Sequence, residues 1–380
     1  MLFSNTLKRL IKMKYMILFL FFLNTISLAQ PIQVKSYYGN YDVTSKSAGH
    51  PARSLSQSKK EIWDFSKSTK KYKVAVLLPH LKDPYFLSVN YGILQQSNKN
   101  NIQFKLYEAG GYNNLTTQKE QFYEAIKEGV DGIIIASIHY NKFDRDIKEA
   151  KKLGIPVVAV INDIQAEDIK SKSLVSFYQM GYKAGEYIAN VSKDKRVNIA
   201  FLPGPKGSGW APDTFNGFRK AIEKLTKGNI NIYTPLYGDT GTKAQSKLIR
   251  RAFRYFKDID YLVGNAVMAE AATKILKETG NTKTQIISTY IIPKVYEMIQ
   301  SGEILAAPSD NGMSQAMIAV DMMQKTLDGK KAGADFPFRA GPMIPVINQD
   351  NINTYQYDAL FGEKDFKPVF GNQQLNHTRF

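Results

Sequence analysis

From residue 72 to residue 327 the chain repeats one unit: a short, branched apolar run, a polar turn, then a segment with apolar residues every three or four positions. That alternation constrains the fold more than any other feature. Consecutive parallel strands need a long crossover, and a helix is the ordinary one. The spacing predicts strands at 74–78, 104–107, 130–137 and 155–160, with helices at 85–98, 116–128 and 142–153. A second series follows, with strands at 197–202, 230–233, 261–263, 285–289 and 304–307. Its helices fall at 178–191, 213–225, 241–256, 266–278, 293–300 and 312–327. The class is α/β with doubly wound parallel sheets. At 380 residues the chain exceeds what one hydrophobic core usually holds, so two lobes around a cleft are expected. The boundaries read as 71–162 with about 290–325 for the first lobe, and 163–289 with about 326–360 for the second. Residues 361–380 read as a C-terminal tail.

The ends have a different composition. Lys8, Arg9, Lys12 and Lys14 precede an apolar run at 15–23, and Ser27-Leu28-Ala29 offers small residues for cleavage. Residues 1–29 therefore read as a signal peptide that sends the chain through the inner membrane to the periplasm, the apolar run being short for a membrane span. Removing them takes away four positive and no negative charges, leaving +13 of the formal +17. The remaining Lys and Arg look spread along the sequence and mixed with acids, a diffuse charge rather than the stripe that nucleic acid requires. Residues 30–70, polar but carrying Tyr37, Tyr38, Tyr41, Trp63 and Phe65, read as an extended arm lying along the surface. The absence of cysteine excludes disulfides, thiolate metal sites and cysteine nucleophiles.

Catalytic and nucleotide motifs are missing from the sequence. Gly204-Pro-Lys-Gly-Ser-Gly209 follows a strand, but Trp210 stands where a phosphate loop needs Lys and then Ser or Thr. It reads as a turn over the cleft. The first strand–helix turn, from Pro79 to Pro84, has no glycine and so no dinucleotide fingerprint. No nucleophile elbow, His-Glu-x-x-His or paired carboxylates stand at a loop position. Four histidines leave little for a metal, and His80 and His139 read as loop histidines with hydrogen-bond partners.

What the strand ends do carry is aromatic. In an open parallel sheet the loops at the carboxyl ends of strands form the ligand crevice. Those loops deliver Asp83, Tyr85 and Phe86 after the first strand, Tyr112 after Gly110-Gly111, and Phe177 at the start of a second-lobe helix. Tyr290 and Asp310 follow two later strands. Asp83 and Pro84 also suit the N-cap and first turn of a helix, which is compatible with a place in the crevice. Aromatic faces with a carboxylate suit a small methylated amine, whose methyls carry partial positive charge.

The segments PHLKDPYFLSVNYG and YEAGGYNN, with FYQMGYKAGEYIA, NIAFLPGP, DYLVGNAVMAEAA and APSDNGMSQ further on, resemble the TorT-like branch of the type I periplasmic binding proteins. The resemblance runs from about Tyr72 to about Asp328. It implies two doubly wound lobes joined by a hinge, no enzymatic activity and no cofactor. It also implies a ligand, trimethylamine N-oxide (TMAO) or a related methylamine, and a partner, the periplasmic domain of a TorS-like hybrid sensor histidine kinase. Matched position by position, the ligand-binding residues it implies are Asp83, Tyr85, Phe86, Tyr112, Phe177, Tyr290 and Asp310. Phe86 and Phe177 depart from it, standing where tryptophan is expected, which keeps an aromatic wall but weakens cation–π attraction. Three other functions stay open: the substrate-binding protein of an ABC transporter for a sugar, an exported enzyme, and a module whose work is protein–protein contact.

Overall fold

The branched apolar runs become strands because both faces of each are covered, which rewards uninterrupted Val, Ile and Leu. The structure, a computed structural model, describes residues 31–44, 50–55, 57–67, 70–193 and 195–372. The signal-peptide reading at 1–29 and the last residues of the tail lie outside that range. Strands β1 (Gln33–Tyr38), β2 (Gln57–Ile62), β3 (Tyr72–Leu78), β4 (Ile102–Glu108), β5 (Gly132–Ile135), β6 (Val157–Val160) and β7 (Ser171–Ser173) come first. Next are β8 (Val197–Leu202), β9 (Ile230–Ile232), β10 (Tyr261–Gly264), β11 (Gln285–Ser288) and β12 (Ala306–Pro308), followed by β13 (Arg339–Pro342) and β14 (Val346–Asn348). Among the described residues they form an eight-stranded sheet, ordered β2-β1-β13-β7-β6-β5-β3-β4, and a six-stranded sheet, ordered β14-β12-β11-β10-β8-β9.

Helices α1 (Pro84–Lys99), α2 (Leu115–Lys127) and α3 (Asp144–Lys152) belong to the first lobe. Helices α4 (Phe177–Ser192), α5 (Trp210–Leu225), α6 (Thr242–Tyr255), α7 (Ala266–Thr279) and α8 (Pro293–Gln300) belong to the second. Helix α9 (Gly312–Leu327) returns to the first lobe and packs on α1, and the short α10 (Tyr357–Phe361) follows. A Cβ at Gly92 would lie 2.3 Å from the Met313 carbonyl oxygen, so glycine is what lets α1 and α9 meet this closely.

The sheet order means that the chain passes between lobes after β7, after β12 and again after β13. This moves the expected boundaries. Ser171–Ser173 and Arg339–Pro342 lie in the first sheet, not the second lobe, and α8 with β12 lies in the second lobe, not the first. The sequence hid β7 because its three residues are Ser-Lys-Ser. Lys172 is buried there only because Asp163 faces it at 2.7 Å.

The arm also differs from an extended surface segment. β1 pairs antiparallel with β13 and β2 with β1, so the arm widens the first sheet. It is anchored by Trp63, whose Nε1 donates to Asp321 Oδ2 at 3.0 Å. At the opposite edge the chain near its end covers β4: Leu106 N donates to the Phe370 carbonyl at 2.8 Å.

Candidate functional site

The cleft-facing ends of both sheets bring aromatic rings together. Asp83 caps α1, accepting from Phe86 N at 3.2 Å, with Pro84 in the first turn. That cap fixes the direction of Tyr85 and Phe86, whose rings meet edge to face at 5.4 Å. Gly110 and Gly111 hold φ of +81° and +147°, values open to glycine, and so turn the chain to present Tyr112. In the second lobe α4 and α5 start with Phe177 and Trp210. They lie almost in backbone contact: a Cβ at Gly181 would sit 1.8 Å from the Thr214 carbonyl oxygen, and one at Gly217 1.9 Å from that of Tyr178. Small residues therefore hold two helix N-termini together and set Phe177 6.1 Å from Trp210. Gly204 leaves room for the indole, since a Cβ there would stand 2.5 Å from the Trp210 ring.

The rings close on themselves. Phe86 meets Tyr85, Tyr85 meets Tyr290 at 5.5 Å, and Tyr290 meets Trp210 at 6.2 Å. Trp210 meets Tyr112 at 6.4 Å, and His80 returns from Tyr112 at 5.7 Å to Phe86 at 5.1 Å. Of these rings Tyr85, Phe86, Tyr112, Trp210 and Tyr290, joined by Phe177, line a cavity of about 30 Å³. On the scale where one water fills about 10–15 Å³, that is space for one very small molecule. All seven residues singled out in the sequence line it, from Asp83 to Asp310. Sequence reading missed Ile161, Asn162, Trp210 and Thr240.

Trp210 was the legible miss. The helix was expected from Asp213, but Pro212 fits a first helical turn and already allowed an earlier start. Ile161 left a weaker trace. It holds φ of +63°, uncommon for a β-branched residue, in a tight turn where Asn162 N donates to the Val160 carbonyl at 2.6 Å. The turn aims Asn162 so that its Nδ2 donates to the Tyr112 hydroxyl and the Ser137 carbonyl, each at 3.0 Å.

The polar atoms of the cavity are incompletely paired. Asp310 accepts at Oδ2 from the Tyr85 hydroxyl and from Gln315 Nε2, the latter at 3.1 Å, whereas its buried Oδ1 has no partner. Trp210 Nε1 is buried and has no acceptor. Burial raises the Asp310 pKa, against the pull of its Tyr85 and Gln315 hydrogen bonds. Burial likewise raises Asp83, opposed chiefly by His80, whose Nε2 lies 3.9 Å from Asp83 Oδ2. Burial also keeps Tyr85, Tyr112 and Tyr290 protonated, with carboxylates adding to the effect: Asp310 at Tyr85, and Asp83 at the other two. Their hydroxyls are therefore donors. His80 departs from the expected loop histidine with a hydrogen-bond partner, being buried with Nδ1 unpaired and its ring packed against Phe86 and Tyr112. His139 does find a partner, accepting from Asn141 N at 3.5 Å.

Two parallel-sheet lobes, joined by several passages of the chain, and a small chamber between them define a cleft-type solute-binding protein. The chain belongs to the periplasmic binding protein domain family, whose domain matches residues 74–331. It is similar to the periplasmic protein TorT of Escherichia coli strain K12, 29% identical over 315 residues that cover 82% of this chain and 88% of the relative. Among solved structures it resembles the complex of the TorS sensor domain with TorT in the presence of TMAO. That likeness has a TM-score of 0.69 at 28% identity and covers 79% of this chain and 99% of that one. It also resembles an ABC transporter solute-binding protein from Bradyrhizobium sp. BTAi1 with bound bis-tris, with a TM-score of 0.76 at 34% identity. That likeness covers 91% of this chain and 100% of that one. The family is one of binding proteins and gives no indication of enzymatic chemistry.

Proposed function

We propose that this chain binds TMAO or a closely related small methylamine in the ring-walled chamber, and that the periplasmic domain of a TorS-like hybrid sensor histidine kinase reads the bound state. The observation that carries this is the pairing of a mainly aromatic lining with two unpartnered polar atoms, Asp310 Oδ1 and Trp210 Nε1. A buried polar atom without a partner is costly, and a ligand can repair it. The Trp210 N–H and the Tyr112 O–H donate to the oxide. The methyls, which carry the positive end of the molecule, lie against ring faces and toward Asp310. A pyranose fits poorly, because its hydroxyls need several polar side chains and the lining offers chiefly rings.

Gln315 is what makes such a ligand legible to a partner. Its Nε2 bonds Asp310 and its Oε1 accepts from Val175 N at 3.2 Å, while its carbonyl accepts from Ser173 Oγ at 2.6 Å. The residue thereby ties the ligand-facing carboxylate, in the segment after β12, to the segment that leaves β7. A ligand that favours one arrangement of those segments shifts the population the sensor meets, and the coupling is reciprocal.

The likeness to the Bradyrhizobium solute-binding protein supports a second reading, delivery of the solute to an ABC transporter. Bis-tris is itself a tertiary amine, so an amine ligand is compatible with both readings. A calorimetric panel of TMAO, tetramethylammonium, ribose and galactose tests the chamber: tight TMAO binding with silent sugars is expected, and a sugar binding more tightly than any methylamine overturns the reading. Sensor-domain affinity measured with and without TMAO tests the signalling half, and equal affinities would reject it.

A further inference from the structure

The end of the second lobe away from the cleft has its own chemistry. There the chain leaves α4, α5 and α6 and enters β8, β9 and β10, so three helix C-termini and three strand starts share one edge. Hydrogen bonds join these turns into one surface: Val197 N donates to the Asn229 carbonyl at 3.1 Å and Asn198 Nδ2 to that of Asp258, also at 3.1 Å. Each helix finishes in the same way. Val191 is followed two residues later by Lys193, Leu225 by Lys227, and Tyr255 by Lys257. Val191, Leu225 and Tyr255 are 42%, 44% and 66% exposed, apolar tips that the core does not use.

The charge around these tips is positive and unneutralised. Lys195, Arg196, Lys227, Arg254, Lys257 and Lys283 are exposed, and among the described residues none of them makes an ion pair. Helix α6 has Lys243, Lys247, Arg250, Arg251 and Arg254 with no acidic residue, and only Arg250 is paired, with Glu278 at 3.2 Å. Asp258 and Asp260 are the acids of these turns whose positions are described, and Asp260 is occupied by Asn198 N at 2.7 Å. At the corresponding end of the first lobe some cations are paired: Lys105 with Glu128, Lys151 with Asp168, and Lys152 with Glu149 at 2.8 Å. Lys71, Lys73, Lys99 and Lys127 there are exposed and make no ion pair among the described residues. What distinguishes the second-lobe end is that its unpaired cations surround three exposed apolar tips.

We infer that this end of the second lobe docks on an anionic lipid surface, with the lysines and arginines at the phosphate level and Val191, Leu225 and Tyr255 dipping into the headgroup boundary. Unpaired cations around several exposed apolar tips on one edge are what such an interface uses. No helix among the described residues is long and apolar enough to cross a membrane. Docking by this end leaves the cleft facing away from the bilayer, open to solute.

The test is sedimentation of the chain from Gln30 onward, whose described residues from Ile32 on form one compact unit, with vesicles of phosphatidylglycerol and phosphatidylethanolamine or of phosphatidylcholine alone. Binding to the anionic vesicles that fades with added salt, and none to phosphatidylcholine, is expected. Neutralising three cations together (Lys195→Gln, Lys227→Gln, Lys257→Gln) should lower partitioning about a hundredfold. Tyr255→Ser should lower it several-fold, with thermal melting preserved in both. Equal binding to both vesicle types, no binding to either, or full binding by the triple variant would each overturn the inference. So would a triple variant that keeps vesicle binding while losing a protein partner, since the surface would then be a protein dock.

Discussion

The chain has two tryptophans: Trp63 bonds the buried Asp321 within α9, and Trp210 lines the same cavity as the buried Asp310 just before it, but the two settings differ. In the first-lobe core Asp321 is saturated. It accepts from Trp63 Nε1 at 3.0 Å, from Ser66 N at 2.7 Å and from Asn100 Nδ2 at 3.3 Å, and Lys325 Nζ lies 2.6 Å away. In the cleft Asp310 is filled at Oδ2 alone, and the Trp210 indole N–H has no acceptor. Both carboxylates are inaccessible to water, so burial does not tell them apart. What separates them is whether the protein completes its own hydrogen bonding. A carboxylate with every lone pair assigned holds the fold, and one left open is available to something the chain does not contain.

The comparison breaks most directly at Asp321. Asp321→Ala leaves Lys325 charged and buried without its partner, and a loss of about 3–5 kcal/mol in denaturant unfolding is expected. The folded fraction should still bind TMAO with unchanged affinity, and a parallel loss of affinity would show that the two settings are not separate. Next come the cage walls. Tyr112→Ala and Phe86→Ala should each weaken TMAO binding more than about tenfold in calorimetry, roughly the loss of one ring. Unchanged affinity in both would remove those rings from the site.

Trp210→Phe sharpens the contrast, because it keeps a ring and deletes the N–H. It should weaken TMAO by up to about tenfold, the value of one buried hydrogen bond, and leave tetramethylammonium little changed. Equal losses for both ligands would mean that the indole acts only as a wall. The smallest effect concerns pH. Burial raises the Asp310 pKa above the ordinary 3.8, so the folded protein holds that proton more tightly than the unfolded chain does. The resulting stability is present below the ordinary value and is lost as pH rises through the raised one. Affinity for tetramethylammonium, whose charge is constant, should run the other way and fall on acidification as the carboxylate is neutralised. Asp310→Asn should flatten that profile, and an unchanged profile would assign the titration elsewhere.

Much of this was visible in the order of residues. Helix α8 and strand β8 fall where the periodicity places them, because each is a local pattern with a clear start and stop. The candidate ligand residues were legible because strand-end loops in a parallel sheet point to one crevice whatever the detailed packing. Trp210 was obscured by Gly209, which takes φ of +81° and starts α5 earlier than the Asp213 signal suggests. β7 was obscured because Lys172 reads as solvent-exposed until Asp163, nine positions earlier, is seen beside it.

By itself the sequence determined the α/β alternation, the two lobes and the aromatic character of the cleft, since these follow from periodicity and from residue types at strand ends. The tertiary structure alone decided which polar atoms stay unpaired, which segments join the lobes and which cations find acidic partners. Those depend on contacts between residues far apart in the chain, such as Tyr85 with Asp310 or Asn198 with Asp258, and no local pattern encodes them.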